Sequence, residues 1–233
     1  MNEPEIIYSD QSLAVINKPA GLLVHSSFHQ KTKEPTLVDW LLKKFPQIKK
    51  VGDETEYRPG IVHRLDKETS GVMLVPLTQE NFSYLKKLFQ ERGVKKTYLA
   101  IVRGWLKDSK GAIEKSIGIK SGTTKRTVYS SKMAKEAITG YELIKNFDNK
   151  GEKLALVKVF PQTGRTHQIR VHMAYIGHPV IGDALYGGKA SAKLAPRQML
   201  HCLSLEFSEK SGHKAKYEAE PPEDFKIVVG KIL

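Results

Sequence analysis

One carboxylate, Asp66, follows one guanidinium, Arg64, by two residues in the stretch Gly60-Ile61-Val62-His63-Arg64-Leu65-Asp66-Lys67-Glu68-Thr69-Ser70-Gly71, and the apolar run Val72–Val75 comes directly after it. Charged and turn-forming residues leading into a buried strand predict a rigid loop that presents Asp66 at the strand's mouth, where scaffolds carry chemistry. Taken locally, such an aspartate is a nucleophile, a general base or an ordinary turn residue. A metal ligand is disfavoured: neither His63 nor the other histidines show a ligand spacing such as His-Glu-x-x-His.

Two further clusters carry groups that could act with Asp66. In Pro161–His172 a strand ends, Gly164 permits a turn and a helix begins, with Arg165 at its entrance. Free backbone N–H groups there favour an anion. That anion is a phosphate or Asp66, unless the segment is an ordinary connection whose arginine faces water. In Lys95–Gly104 two lysines, Lys95 and Lys96, precede a strand bearing Tyr98. A strand tyrosine on its own reads as core.

These groups need a frame. Ile6–Tyr8 and Leu13–Ile16 predict an opening hairpin. Thr36 reads as the cap of a helix running to about Phe45, with Leu37, Trp40, Leu41 and Lys44 on one face. Thr78 caps a second, with Phe82, Leu85, Leu88 and Phe89 as its apolar face and Gly93 as its stop. Residues 46–59 read as loop. Strands are expected over Lys95–Arg103, near 112–119, 125–132, 137–145 and 153–160, and over Met199–Phe207; a third helix is expected over Thr166–Ile176, and Asp224 as the cap of a terminal one. Hairpins dominate over strand–helix alternation. The expected class is therefore α+β, a mostly antiparallel mixed sheet flanked by helices and loops, in one domain over residues 1–233.

Composition limits the partners. The chain is 40% hydrophobic and 27% charged, with no apolar run long enough for a membrane span. Its acidic N-terminus has no signal-peptide core. The single cysteine, Cys202, excludes an internal disulfide and fits a reducing, cytoplasmic setting; it reads as a small buried strand residue. Net charge is +13, and residues 81–140 hold 14 Lys/Arg against 4 Asp/Glu, leaving only +3 to the remaining 173 residues. A basic middle third suits a polyanion, because each phosphate contact releases counterions. A solvated lysine-rich surface is the plainer alternative.

Five stretches in order resemble the RluA-type pseudouridine synthases, which isomerise uridine in ribosomal or transfer RNA. Asp10–His25, with its Asn17-Lys18-Pro19-x-Gly21, is similar to the family's opening segment, and His63-Arg64-Leu65-Asp66-x-x-Thr69-Ser70-Gly71 to its catalytic loop. Tyr98-Leu99-Ala100 with Gly104 resembles its tyrosine strand; Gly164–His172, Gly177–Asp183 and Tyr186-Gly187 resemble its closing motif, and Gln198–Cys202 the strand after it.

The resemblance implies the family's catalytic fold, no cofactor and no metal, and structured RNA as partner, with a monomer as the default. It assigns Asp66 to the sugar C1′ of a flipped-out nucleotide, Arg64 to the space the base vacates, Tyr98 to the wall holding the uracil, and Arg165 to pairing with Asp66. As a base Tyr98 would be poor, since a free tyrosine titrates near about 10. His63, Lys95, Lys96 and Arg170 are the further candidates for RNA or loop contacts, and Asp183 reads as a turn residue. Many relatives carry an extra S4-type RNA-binding domain; this chain begins with the catalytic segment, so recognition is expected from its own basic surface, Lys86, Lys87, Lys95 and Lys96 included. A non-catalytic RNA-binding factor would need the lysines but not Asp66. A uracil-releasing glycosylase would need an activated water and a second carboxylate, for which Glu68, expected at the surface, is the nearest candidate.

Overall fold

The computed structural model describes residues 3–26, 34–123 and 125–232. Along the chain lie β1 (Glu5–Ser9), β2 (Leu13–Lys18), α1 (Leu37–Lys44), β3 (Ser70–Pro76), α2 (Gln79–Gln90) and β4 (Lys95–Arg103). Then come β5 (Lys110–Glu114), β6 (Gly118–Ile119), β7 (Arg126–Thr127), β8 (Ile138–Asn149), β9 (Glu152–Pro161) and α3 (Gln168–Tyr175). α4 (Gly188–Ala192), β10 (Leu200–Ser208), β11 (Lys214–Glu218) and α5 (Glu223–Val229) complete it. Every strand ladder with a described register is antiparallel. This is the expected α+β class.

Contacts gather into two compact units, Met1–Lys95 with Cys202–Pro221, and Lys96–His201 with Pro222–Leu233. In the first, the strand order is β1-β2-β3-β10, with β11 on β10. All seven residues of β3 are buried, and it lies so close to β10 that a Cβ on Gly71 would stand 2.2 Å from the Cys202 carbonyl oxygen. The Thr-Ser-Gly triplet therefore opens the strand, and glycine is required at its third place. Thr36 and Asp39 close a capping box on α1, the hydroxyl taking the Asp39 amide and the carboxylate taking the Thr36 amide. Such a cap contributes about 1 kcal/mol. Val38, not Trp40, joins Leu37 and Leu41 on its buried side.

In the second unit the order is β4-β9-β8-β5. Ala100, Val102, Val157 and Val159 pack with Ile169 and Met173 of α3, with Tyr98 against their edge.

Several elements differ from those expected. α2 ends at Gln90, and the left-handed turn falls on Arg92 (φ 62°) rather than on Gly93. The strand expected near 112–119 splits into β5 and β6, and the one near 125–132 shrinks to β7. A 3-10 turn, Pro46–Lys50, occupies part of the expected loop. α5 starts after Pro222, and Asp224 holds Arg197 (2.6 and 2.9 Å) instead of capping. β11 had no signal beyond three alternating residues.

Candidate active site

The Asp66 loop belongs to the first unit, and its main chain is held on both sides of the carboxylate. On the near side, the Leu74 amide donates to His63 Nε2 at 2.9 Å, and the His63 ring stacks on Phe89 at 4.5 Å. An accepting Nε2 makes His63 the Nδ1-protonated neutral tautomer. On the far side, Lys18 is fully buried. Its ammonium donates to the carbonyls of Pro19 (2.7 Å), Leu22 (2.8 Å) and Lys67 (3.0 Å). The Gly21 amide also donates to the Lys67 carbonyl, and the Thr69 amide to the Asp66 carbonyl. Leu65, next to Asp66, is buried. Asp66 is thus half-buried on a fixed turn. Glu68 is half-buried too, not at the surface as expected.

Arg64 is exposed, and its Nη1 approaches His25 Nε2 at 3.4 Å. His25 Nδ1 in turn donates to the Ser26 carbonyl. Burial lowers the His25 pKa and the Arg64 charge lowers it further, against the pull of the Ser26 bond. A neutral His25 leaves Nε2 free to accept, which aims the guanidinium. The sequence reading missed both Lys18 and His25. The signal available was their place in the opening segment, but a buried lysine has no periodicity to betray it.

Tyr98, Lys96, Arg165 and Arg170 belong to the second unit. Tyr98 is half-buried on β4, opposite Val159. The turn before α3 is built around Gln168: its Oε1 accepts from the Arg165 amide (3.0 Å) and the Thr163 hydroxyl (2.7 Å), and its Nε2 donates to Ile138 and Thr139. Arg165 Nε donates to the Glu136 carbonyl at 3.0 Å. His167 takes a left-handed φ of 57°, and the helix starts one residue later, two after the expected Thr166. His172 Nδ1 accepts from Thr139, and Nε2 donates to the Lys115 carbonyl.

Arg170 is buried and grips Asp183 through two hydrogen bonds, 2.6 and 2.9 Å, within the closing motif. Burial pushes the Asp183 carboxyl up, but the Arg170 bond and charge, with the Tyr186 and Leu185 amides, outweigh it and hold the carboxyl below its usual range. Asp183 is therefore a turn residue and a buried ion-pair partner at once. Lys95 is exposed and meets Glu206 at 3.2 Å; Lys86 meets Asp53 at 2.8 Å, and Lys87 meets Glu91 at 3.9 Å. Among the described residues no three His, Cys, Asp or Glu side chains gather as metal ligands do, and no helix is long and apolar enough to cross a membrane.

The sequence pattern described as RNA pseudouridylate synthase matches residues 12–175. A protein of Aquifex aeolicus called an uncharacterized RNA pseudouridine synthase is 40% identical, over 96% of this chain and 71% of its own length. The ribosomal large subunit pseudouridine synthase D of Pseudomonas aeruginosa is also 40% identical, over 96% and 70%. Its namesake from Borreliella burgdorferi is 37% identical, over 97% and 68%. The solved structure of human RNA pseudouridylate synthase domain containing 1 superposes with a TM-score of 0.77 at 28% identity, covering 94% of this chain and 84% of that one. With its α+β architecture and ordered motifs, the chain belongs to the RNA pseudouridylate synthase family.

Proposed function

We propose that this enzyme isomerises uridine in large-subunit ribosomal RNA, with Asp66 as the carboxylate that acts at the sugar C1′. The C1′–N1 bond of the flipped-out nucleotide breaks, the uracil turns, and a C1′–C5 bond forms while the C5 proton is lost and N1 gains one. No redox equivalent or group donor enters that balance. Breaking the first bond builds oxocarbenium-like charge on the sugar, which an anion beside C1′ stabilises, as a nucleophile or electrostatically. Tyr98 is the flat wall for the detached uracil, Arg165 the counter-charge that aims Asp66, and Arg64 the side chain that enters the emptied stack. Lys95 and Lys96 add phosphate contacts, Lys95 the weaker one because it also meets Glu206. The enzyme works as a cytoplasmic monomer, which a lone, fully buried Cys202 suits.

The observation that carries this reading is the double anchoring of the Asp66 loop. A half-buried carboxylate on a loop whose main chain is tied through His63 on one side and Lys18 on the other is preorganised for developing positive charge. The ribosomal substrate rests on the names of the relatives. The test is incubation of the purified chain with unmodified large-subunit ribosomal RNA and with transfer RNA, followed by pseudouridine mapping. The parent should modify the ribosomal transcript at discrete positions. Asp66→Asn should make none while binding RNA within about threefold of the parent, since an exposed phosphate contact is not lost. Modification of transfer RNA alone would overturn the ribosomal assignment.

A further inference from the structure

The hairpin of β6 and β7 has strands of two residues each, yet the segment after it is tightly fixed. A Cβ on Gly118 would stand 2.4 Å from the Ser130 carbonyl oxygen and 2.8 Å from that of Lys132, so only glycine lets residues 130–132 cross over β6. The Ser130 hydroxyl donates to the Ile119 carbonyl at 2.7 Å, and the Ile119 amide donates to the Lys132 carbonyl at 2.9 Å. At the head of this crossing stands Tyr129, 82% exposed. Its ring meets Tyr175, at the end of α3, edge to face, with 5.9 Å between centroids and 63° between planes. Lys115 Nζ lies 5.9 Å from the Tyr175 centroid, and the Lys115 carbonyl is itself tied to the buried His172.

The charge around this ring is one-sided. Residues 115–135 hold Lys115, Lys120, Lys125, Arg126, Lys132 and Lys135 and no carboxylate. Among the described residues none of these six cations meets a carboxylate, in contrast to Lys86, Lys87 and Lys95. A rigidly presented aromatic face among unneutralised cations has the two parts that single-stranded nucleic acid requires, a surface for a base and charge for its phosphates. An acidic peptide or a lipid headgroup would use the cations but has no need of an isolated flat ring. The reacting uracil must be enclosed, and a side chain this open cannot enclose it.

We propose that Tyr129, braced by Tyr175 and flanked by Lys115, Lys120 and Lys132, is a stacking platform for an unpaired base of the RNA substrate other than the uridine isomerised. This rests on the RNA-modifying reading above, but its readout is binding, which is scored separately from the Asp66 chemistry. An Asp66→Asn chain that still isomerised would remove that mechanism and leave the platform standing.

The experiment uses the full chain and an unmodified large-subunit ribosomal RNA transcript, with affinity measured across a salt series and conversion measured at saturating RNA. Tyr129→Ala should raise Kd about tenfold, from the loss of one base stack. Because no cation is removed, the slope of log Kd on log salt should stay as in the parent. Conversion at saturation should stay within about twofold, since the side chain touches no reacting atom. Tyr129→Phe keeps the ring and should bind as the parent does. Tyr129→Trp should show emission quenched on RNA addition. Three results would overturn the platform: Tyr129→Ala binding like the parent, Tyr129→Phe as weak as Tyr129→Ala, or a loss confined to saturated conversion. An acidic peptide that competes with RNA should be held equally by the parent and by Tyr129→Ala; a peptide weakened as much as RNA is by Tyr129→Ala would overturn the platform too.

Discussion

The Asp66 loop and the β6–β7 hairpin spend their polar groups in opposite ways. In the loop, Lys18, His63, Gly21 and Thr69 are all turned inward on the main chain around one carboxylate. Around the hairpin, five exposed lysines and one aromatic ring face out, and backbone carbonyls, a few hydroxyls and a missing Cβ hold the segment in place. The difference separates two tasks. Chemistry at C1′ needs an anion fixed to a fraction of an ångström, which inward hydrogen bonds supply. Capture of an RNA strand needs charge and flat surface that stay available, which inward bonds would consume.

Substitutions on either side sharpen this contrast. The largest effect short of removing Asp66 is expected at Lys18. Lys18→Met leaves three carbonyls without their buried donor, and should cost about 3 kcal/mol of stability, read by urea unfolding. Its conversion rate should fall further than its RNA affinity, because the Lys67 carbonyl keeps only the Gly21 amide while the outward cations remain. A drop in affinity with an unchanged rate would erase the division of labour. A smaller effect is expected from charge. Neutralising Lys120, Lys125 and Lys132 together should flatten the salt dependence of RNA binding by about 2 in the log–log slope. The same change at Lys86, Lys87 and Lys95, each already facing a carboxylate, should flatten it less. Equal slopes would mean that carboxylate pairing does not decide which lysines meet phosphate.

The smallest effect concerns acid. Burial holds His172 neutral below the usual histidine range, against the Lys115 bond that pulls it up. A group depressed in the folded state contributes its stability fully above its unfolded value, about 6.5 for histidine, and loses it as pH falls through the folded value. Melting temperature should therefore hold at about pH 7.5 and drop by a few degrees towards about pH 5.5. A rise on acidification would contradict the assignment.

Much of this was legible in the residues. The opening hairpin, the Thr36 and Thr78 caps, β3 and β4 follow from periodicity and capping chemistry, which are local. What escaped was set by distant packing. Arg92 rather than Gly93 takes the left-handed turn because the Gly93 amide closes onto the Leu88 carbonyl. Asp224 is claimed by Arg197, 27 residues away. Arg170, a candidate for RNA or loop contacts, is buried against Asp183, 13 residues away. Lys18 looks like any strand-end lysine until its carbonyls are seen. The residues around position 129 lie in the basic middle third, but which of its side chains stay exposed is not written in sequence.

One measurement bears most directly on the claim that reaction and capture sit on different residues. Single-turnover conversion would be followed with enzyme in excess and RNA saturated, for the parent, Asp66→Asn and Tyr129→Ala. The account predicts no pseudouridine from Asp66→Asn although the RNA is bound, and the parental rate from Tyr129→Ala. Product from Asp66→Asn, or a Tyr129→Ala rate that saturation does not restore, would contradict it.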